Sequence, residues 1–197
     1  QSGANVASLV NSGTISAAIT GTKGTAIAVE DLGGKLASIE NSGKITAAVV
    51  GEAGVATTGK NIALDLRNAV GGVTVRQDHA KTDASLYSAD LDTDKDGVID
   101  TQEPLIFGDV LFGSGDNRLL LANGSLTGAM AFGAGADVLS LSGGAVATGA
   151  LTDADGRLTI DVSNGTLNMT NAAIIIATSL NVGAGSGLRF TADPAGN

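Results

Sequence analysis

Ala7-Ser-Leu-Val-Asn11-Ser-Gly13-Thr-Ile15-Ser-Ala-Ala-Ile19-Thr-Gly21 returns thirty residues later as Ala37-Ser-Ile-Glu-Asn41-Ser-Gly43-Lys-Ile45-Thr-Ala-Ala-Val49-Val-Gly51. Between residues 7–28 and 37–58, eleven of twenty-two positions are identical. Self-similarity at such a period marks a repeat architecture, in which a unit buries its apolar face only against its neighbours. A looser third copy starts at Leu66-Arg-Asn68-Ala and, one residue longer, continues as Gly71-Gly-Val73-Thr-Val75. Apolar and small polar residues alternate within each unit, as in Ile62-Ala-Leu64-Asp-Leu66, which is the period of a strand and not of a helix. Asn-Ser-Gly before each Ile reads as a corner, because Asn and Gly accept the left-handed conformation and Asn bonds to its own backbone there. Asn11 and Asn41 would stand at equivalent corners, as good turn formers or stacked as a ladder. Short strands, Gly corners and a fixed period describe a parallel β-solenoid.

Beyond residue 109 the period shortens. Phe112-Gly-Ser-Gly-Asp-Asn117-Arg-Leu119-Leu-Leu121 comes back at twenty residues as Phe132-Gly-Ala-Gly-Ala-Asp137-Val-Leu139-Ser-Leu141. Gly156-Arg-Leu158-Thr-Ile160-Asp-Val162 and Gly165-Thr-Leu167-Asn-Met169 continue the style. At roughly 20 to 30 residues per coil, the chain makes about seven to nine coils. Phe132 to Leu139 resembles the calcium-binding nonapeptide of RTX proteins. Those repeat every nine residues, whereas these copies lie twenty apart with Asn117 in the earlier one, so both read as plain corners.

Composition narrows the function classes. The apolar set is mostly Ala, Val, Leu and Ile with four Phe, one Tyr and no Trp, so the core is narrow and layered from small aliphatics. Twenty-nine Gly among 197 residues suit corners and oppose long helices, where each Gly costs about 1 kcal/mol relative to Ala. A net charge of −9 offers no basic stripe for phosphates, which argues against nucleic acid or anionic lipid as partner. Cysteine is absent, so neither a disulfide framework nor a thiol nucleophile is available. The segment contains no membrane-spanning apolar run and no signal peptide, and it begins and ends inside its own pattern, like a piece of something longer.

Eight of the twenty acids fall between Asp78 and Glu103. Within that window, Asp92-Thr-Asp94-Lys-Asp96-Gly97-Val98-Ile99-Asp100-Thr-Gln-Glu103 fills the ligand positions of a twelve-residue calcium loop. A hard cation wants six or seven oxygens, so Asp92, Asp94, Asp96, the Val98 carbonyl, Asp100 and Glu103 are the expected ligands, and Gly97 permits the bend. Pro104 follows at once, and Leu105-Ile-Phe-Gly-Asp-Val-Leu-Phe112 reads as strand, so the exiting helix of an EF-hand is missing. A calcium (Ca2+) staple that orders an acidic insertion fits better than a sensor, because crowded carboxylates repel until a cation gathers them. The expected layout is a solenoid over 1–77, the acidic insertion over 78–108 and a second solenoid section over 109–197.

Catalytic chemistry has little to stand on. His79 is the one histidine and lies in a polar connection without a nucleophile elbow. A carbohydrate-active enzyme, a polysaccharide lyase or hydrolase using carboxylates along a solenoid face, is the alternative reading. The scarcity of aromatic platforms weighs against it.

The Asn-Ser-Gly-x-Ile repeats, the Asp-x-Asp-x-Asp-Gly loop, Ile106-Phe-Gly-Asp-Val-Leu-Phe-Gly-Ser-Gly-Asp116, Phe132-Gly-Ala-Gly-Ala-Asp-Val-Leu-Ser-Leu-Ser-Gly143 and Ser179-Leu-Asn-Val-Gly183 together resemble the passenger region of proteobacterial autotransporters. The resemblance covers most of the chain. It implies a right-handed parallel β-helix, export across the inner membrane, and display at the surface of a Gram-negative bacterium, attached to the outer membrane or released. The C-terminal β-barrel of such proteins lies outside these residues, and no catalytic residue carries over. The expected function is a non-enzymatic surface or structural shaft for adhesion or for layer and matrix assembly. Its expected partners are a surface glycan or other cell-surface ligand and, through its strand edges, further copies stacked end to end.

Overall fold

A computed structural model describes residues 5–80, 87–93, 95, 97–170 and 175–191. Coil one comprises β1 (Ser8–Asn11), β2 (Thr14–Thr20) and β3 (Thr25–Glu30), and coil two comprises β4 (Ser38–Asn41), β5 (Lys44–Val50) and β6 (Lys60–Leu66). Coil three is β7 (Thr74–Gln77), β8 (Leu105–Phe107) and β9 (Asp109–Phe112), with the acidic stretch leaving between β7 and β8. Coil four holds β10 (Arg118–Leu121), β11 (Ser125–Thr127) and β12 (Met130–Phe132); coil five holds β13 (Val138–Leu141), β14 (Val146–Gly149) and β15 (Leu151–Asp153). Coils six and seven contribute β16 (Leu158–Val162), β17 (Thr166–Met169), β18 (Ala177–Val182) and β19 (Gly187–Phe190).

Each strand pairs in parallel with the strand at the same place in the neighbouring coil, so the chain builds three sheets as it winds. The first runs β1-β4-β7-β10-β13-β16-β18, the second β2-β5-β8-β11-β14-β17-β19 and the third β3-β6-β9-β12-β15. This is the parallel β-solenoid the repeats imply. Seven coils are represented among the described residues, the low end of the expected range. Residues in register lie 30, 36 and 44 apart through Ser8, Ser38, Thr74 and Arg118, then 20, 21 and 20 apart through Val138, Thr159 and Ser179. No described helix is long and apolar enough to cross a membrane.

Alternation explains the core. Strands such as β5 and β13 read exposed-or-partial then buried along their length, so every second side chain points inward. Because register is conserved from coil to coil, like stacks on like: Leu9, Ile39, Val75, Leu119, Leu139, Ile160 and Leu180 form one column through the first sheet. Its members from Ile39 to Ile160 are buried, each contributing about 1.5–3 kcal/mol of apolar burial. Residues from all three sheets join a single apolar cluster. Phe112 and Phe132 stack within it, ring centroids 5.0 Å apart and planes 12° apart.

The corner between the first and second sheets carries an amide ladder. Asn11 Nδ2 donates to Asn41 Oδ1 (2.8 Å), and Asn41 Nδ2 donates to Gln77 Oε1 (3.0 Å). All three side chains are buried. The Asn11 and Asn41 Oδ1 atoms also accept from the Gly13 and Gly43 N–H groups two residues on. Stacking and turn formation are thus the same feature.

The register overturns the third repeat copy read from the sequence. Asn41 pairs with Gln77, and Asn68 instead lies beyond β6, with its Nδ2 on the Asp31 carbonyl (3.4 Å). The acidic excursion enters at the Asn corner itself, so the third copy of that corner is split between Gln77 and Leu105, and only pairing across coils reveals its halves. At this split Gln77, one methylene longer than Asn, reaches the Asn123 and Ser125 carbonyls of the next coil (3.1 Å each).

Candidate metal loop

The acidic stretch is anchored at both ends by solenoid strands, β7 and β8, and its described part turns tightly. Leu91 N–H bonds to the Ser88 carbonyl (2.9 Å) and Asp100 N–H to the Leu91 carbonyl (2.9 Å), which draws the two ends of the loop together. Lys95 (φ 63°) and Gly97 (φ 95°) both take left-handed backbone, strained for Lys and natural for Gly. Val98 and Ile99 are buried beneath the loop, and a single 3-10 turn, Asp100–Gln102, ends at Glu103 in extended backbone just before Pro104. The exiting helix is therefore cut to one turn, as Pro104 requires.

Asp92, the first expected ligand, is 2% exposed. Its Oδ2 accepts from the Tyr87 hydroxyl (2.7 Å) and from the Gly97 N–H (3.0 Å), which the left-handed turn aims inward. Asp100 is clamped on Thr93: its Oδ1 accepts the Thr93 N–H (2.9 Å) and its Oδ2 the Thr93 hydroxyl (2.7 Å). The Thr93 N–H first, then its hydroxyl, hold the Asp100 carboxyl below the usual carboxylate range, against an opposing push from Asp92. Asp92 and Asp100 are thus brought within electrostatic reach of each other. Val98 lies beside them in the chain with its side chain buried, and Glu103 is half-buried at the end of the 3-10 turn.

Asp94 and Asp96 lie outside the described residues. Among the described residues no three His, Asp or Glu side chains converge as a metal group. What is described fits a hard cation in its donor chemistry, carboxylates arranged around a tight loop. Tyr87 and Thr93 were not legible as partners of the carboxylates, since neither falls at a ligand position. His79 stands where the excursion begins, Nδ1 3.2 Å from Asp78 Oδ1. Ser42 and His79 line one small cleft, but the Ser42 hydroxyl donates to the Asn11 carbonyl (3.4 Å).

Compared with known proteins, the chain matches no protein-family model, and it has no significant match among curated proteins or solved structures.

Proposed function

We propose that this chain is a non-enzymatic structural shaft displayed at a bacterial surface, a passenger-type β-solenoid whose acidic excursion is stapled by calcium. The observation that carries the reading is the pairing of a continuous solenoid with an excursion whose first ligand, Asp92, is buried and already oriented by two donors. Outward positions of the second sheet support the shaft: the column Ser16, Thr46, Phe107, Thr127, Thr148 and Asn168 contains one aromatic ring and no carboxylate. Paired acids beside stacked sugar rings are what glycoside chemistry needs. Surface display and autotransporter membership rest on the motif resemblance.

Calcium titrated into chelator-stripped protein should raise its melting temperature and protect residues 85–108 from proteolysis. Absence of calorimetric uptake at about millimolar calcium, the weak end for extracellular modules, would remove the staple. Release of new chain ends from a polysaccharide panel would remove the non-enzymatic reading.

A further inference from the structure

One corner of coil five holds acceptor oxygens with nothing to accept from. In coil four the residue before the first-sheet strand is Asn117, whose Oδ1 accepts the Val73 N–H of the coil before (3.0 Å). Its Nδ2 donates to the carbonyls of Gly113 (3.0 Å) and Gly115 (2.7 Å). In coil five the same place belongs to Asp137, whose Oδ1 accepts the Asn117 N–H (2.7 Å) in the same manner. The two corners share their backbone: Gly115 and Gly135 have φ of 146° and 140°, and a Cβ on Gly133 would stand 2.1 Å from the Gly113 oxygen. By the register of the two coils, Asp137 Oδ2 takes the place of the Asn117 donor, which faces the Gly113 and Gly115 carbonyls. An acceptor replaces a donor among acceptors. Asp137 is 1% exposed, and its Oδ2 has no hydrogen-bond partner.

A second orphaned carboxylate belongs to the same coil. Asp153 is in register with Phe132 at the end of the third-sheet strand, and both of its oxygens are shielded from solvent without a partner. Burial chiefly, with Asp153 and Asp155 adding to it, pushes the Asp137 carboxyl up against the pull of the Asn117 bonds. Asp155 is spent on backbone, accepting the Gly135 N–H (3.0 Å) and the Arg157 N–H (3.1 Å). Among the described residues no Lys or Arg forms an ion pair with Asp137 or Asp153. Buried carboxylate oxygens that lack a donor are costly unless a counter-charge joins them.

We propose that Asp137 and Asp153 hold one divalent, oxygen-preferring cation of the calcium class at the corner of coil five, a site separate from the acidic loop. Two carboxylates match its charge. The Gly133 and Gly135 carbonyls supply neutral oxygens, and water completes the six to eight that such a cation takes. A cleft of about 310 Å³ lined by Thr152, Asp153, Asp155 and Gly156 borders the site on the Asp153 side.

The test uses the full chain stripped with chelator. Terbium emission excited through Tyr87, the sole tyrosine in a chain without tryptophan, reports on the acidic loop alone, because the Tyr87 hydroxyl sits on Asp92 and the corner has only Phe nearby. Calcium calorimetry counts every site. The Asp137→Asn/Asp153→Asn variant is expected to lose one calcium equivalent and keep the Tyr87-sensitised emission, and its calcium-free form should melt higher than the calcium-free parent. Asn117 shows that an amide is accommodated at this corner. In the parent, calcium should slow amide exchange at residues 133–137 independently of Asp92→Asn. If the double variant keeps every calcium equivalent, or if Asp92→Asn abolishes all uptake and all protection at 133–137, the corner site is refuted.

Discussion

Replacing Asn41 by Leu should cost more than replacing the whole amide ladder. Asn41 is 2% exposed and makes three well-formed bonds: from Asn11 (2.8 Å), to Gln77 (3.0 Å) and from the Gly43 N–H (3.3 Å). Leucine there removes all three bonds. Asn11 Nδ2 still reaches the Gly13 and Lys44 carbonyls (3.3 and 3.2 Å), so its loss is at the low end, while Gln77 Oε1 is left buried. At about 1 kcal/mol for each of the milder losses and about 1–3 kcal/mol for a buried orphan, the single variant loses about 3–5 kcal/mol. In the triple variant Asn11→Leu/Asn41→Leu/Gln77→Leu no side-chain amide remains to be orphaned. Leucines would then continue a column already occupied in the following coils by Leu121, Leu141 and Val162. That variant loses four bonds at about 1 kcal/mol each, from the Gly13 and Gly43 N–H groups and to the Asn123 and Ser125 carbonyls. The packing of three leucines in one apolar column offsets about half of this, so its net loss should be about 2 kcal/mol or less. Coils can open separately, so the assay is native-state hydrogen exchange at Ile39–Asn41 and Val75–Gln77, supported by urea denaturation. Additive losses, with the triple variant three times worse than the single, would refute the ladder argument.

Acidification supplies a second test. Arg67 grips the nearly buried Asp65 carboxylate at 2.8 and 2.6 Å and, through these bonds, holds it below its ordinary range. A depressed folded value means that the contribution is full above the unfolded value of about 3.9 and fades as pH falls through the folded one. Because the Arg67 side chain is 62% exposed, screening holds the effect to about 1 kcal/mol or less, and NMR titration of Asp65 beside an Arg67→Gln variant would show it. In the core, Phe132→Ala removes half of the aromatic stack and should cost about 3–5 kcal/mol by denaturation, whereas Phe132→Leu should cost less than about 1.5 kcal/mol. At the acidic loop, Asp92→Asn should abolish calcium-dependent protection of residues 85–108 without changing the far-ultraviolet spectrum of the solenoid.

Pattern alone determined the class of fold. Strict alternation, Asn-Ser-Gly corners and copies at thirty and twenty residues leave little but a solenoid, because period-2 side chains have one face to bury and only a neighbouring coil to bury it against. The twelve-residue spacing singled out Asp92 and Asp100 as expected ligands, since alternate residues around a Gly bend are a local property. Register was not local. The excursion between Gln77 and Leu105 lengthens one coil to 44 residues, and no spacing rule says that Gln77 continues the Asn column or that Asn68 does not. The partners of the loop carboxylates were hidden too, since Tyr87 and Thr93 meet them through the turn of the backbone. Asp137 read as an ordinary corner residue. Only stacking on Asn117 sets its second oxygen where a donor belongs and brings Asp153, sixteen residues further along, within electrostatic reach. Sequence carries the period of a solenoid, but the pairing of coils decides which side chains share a corner, because every insertion shifts all that follows it.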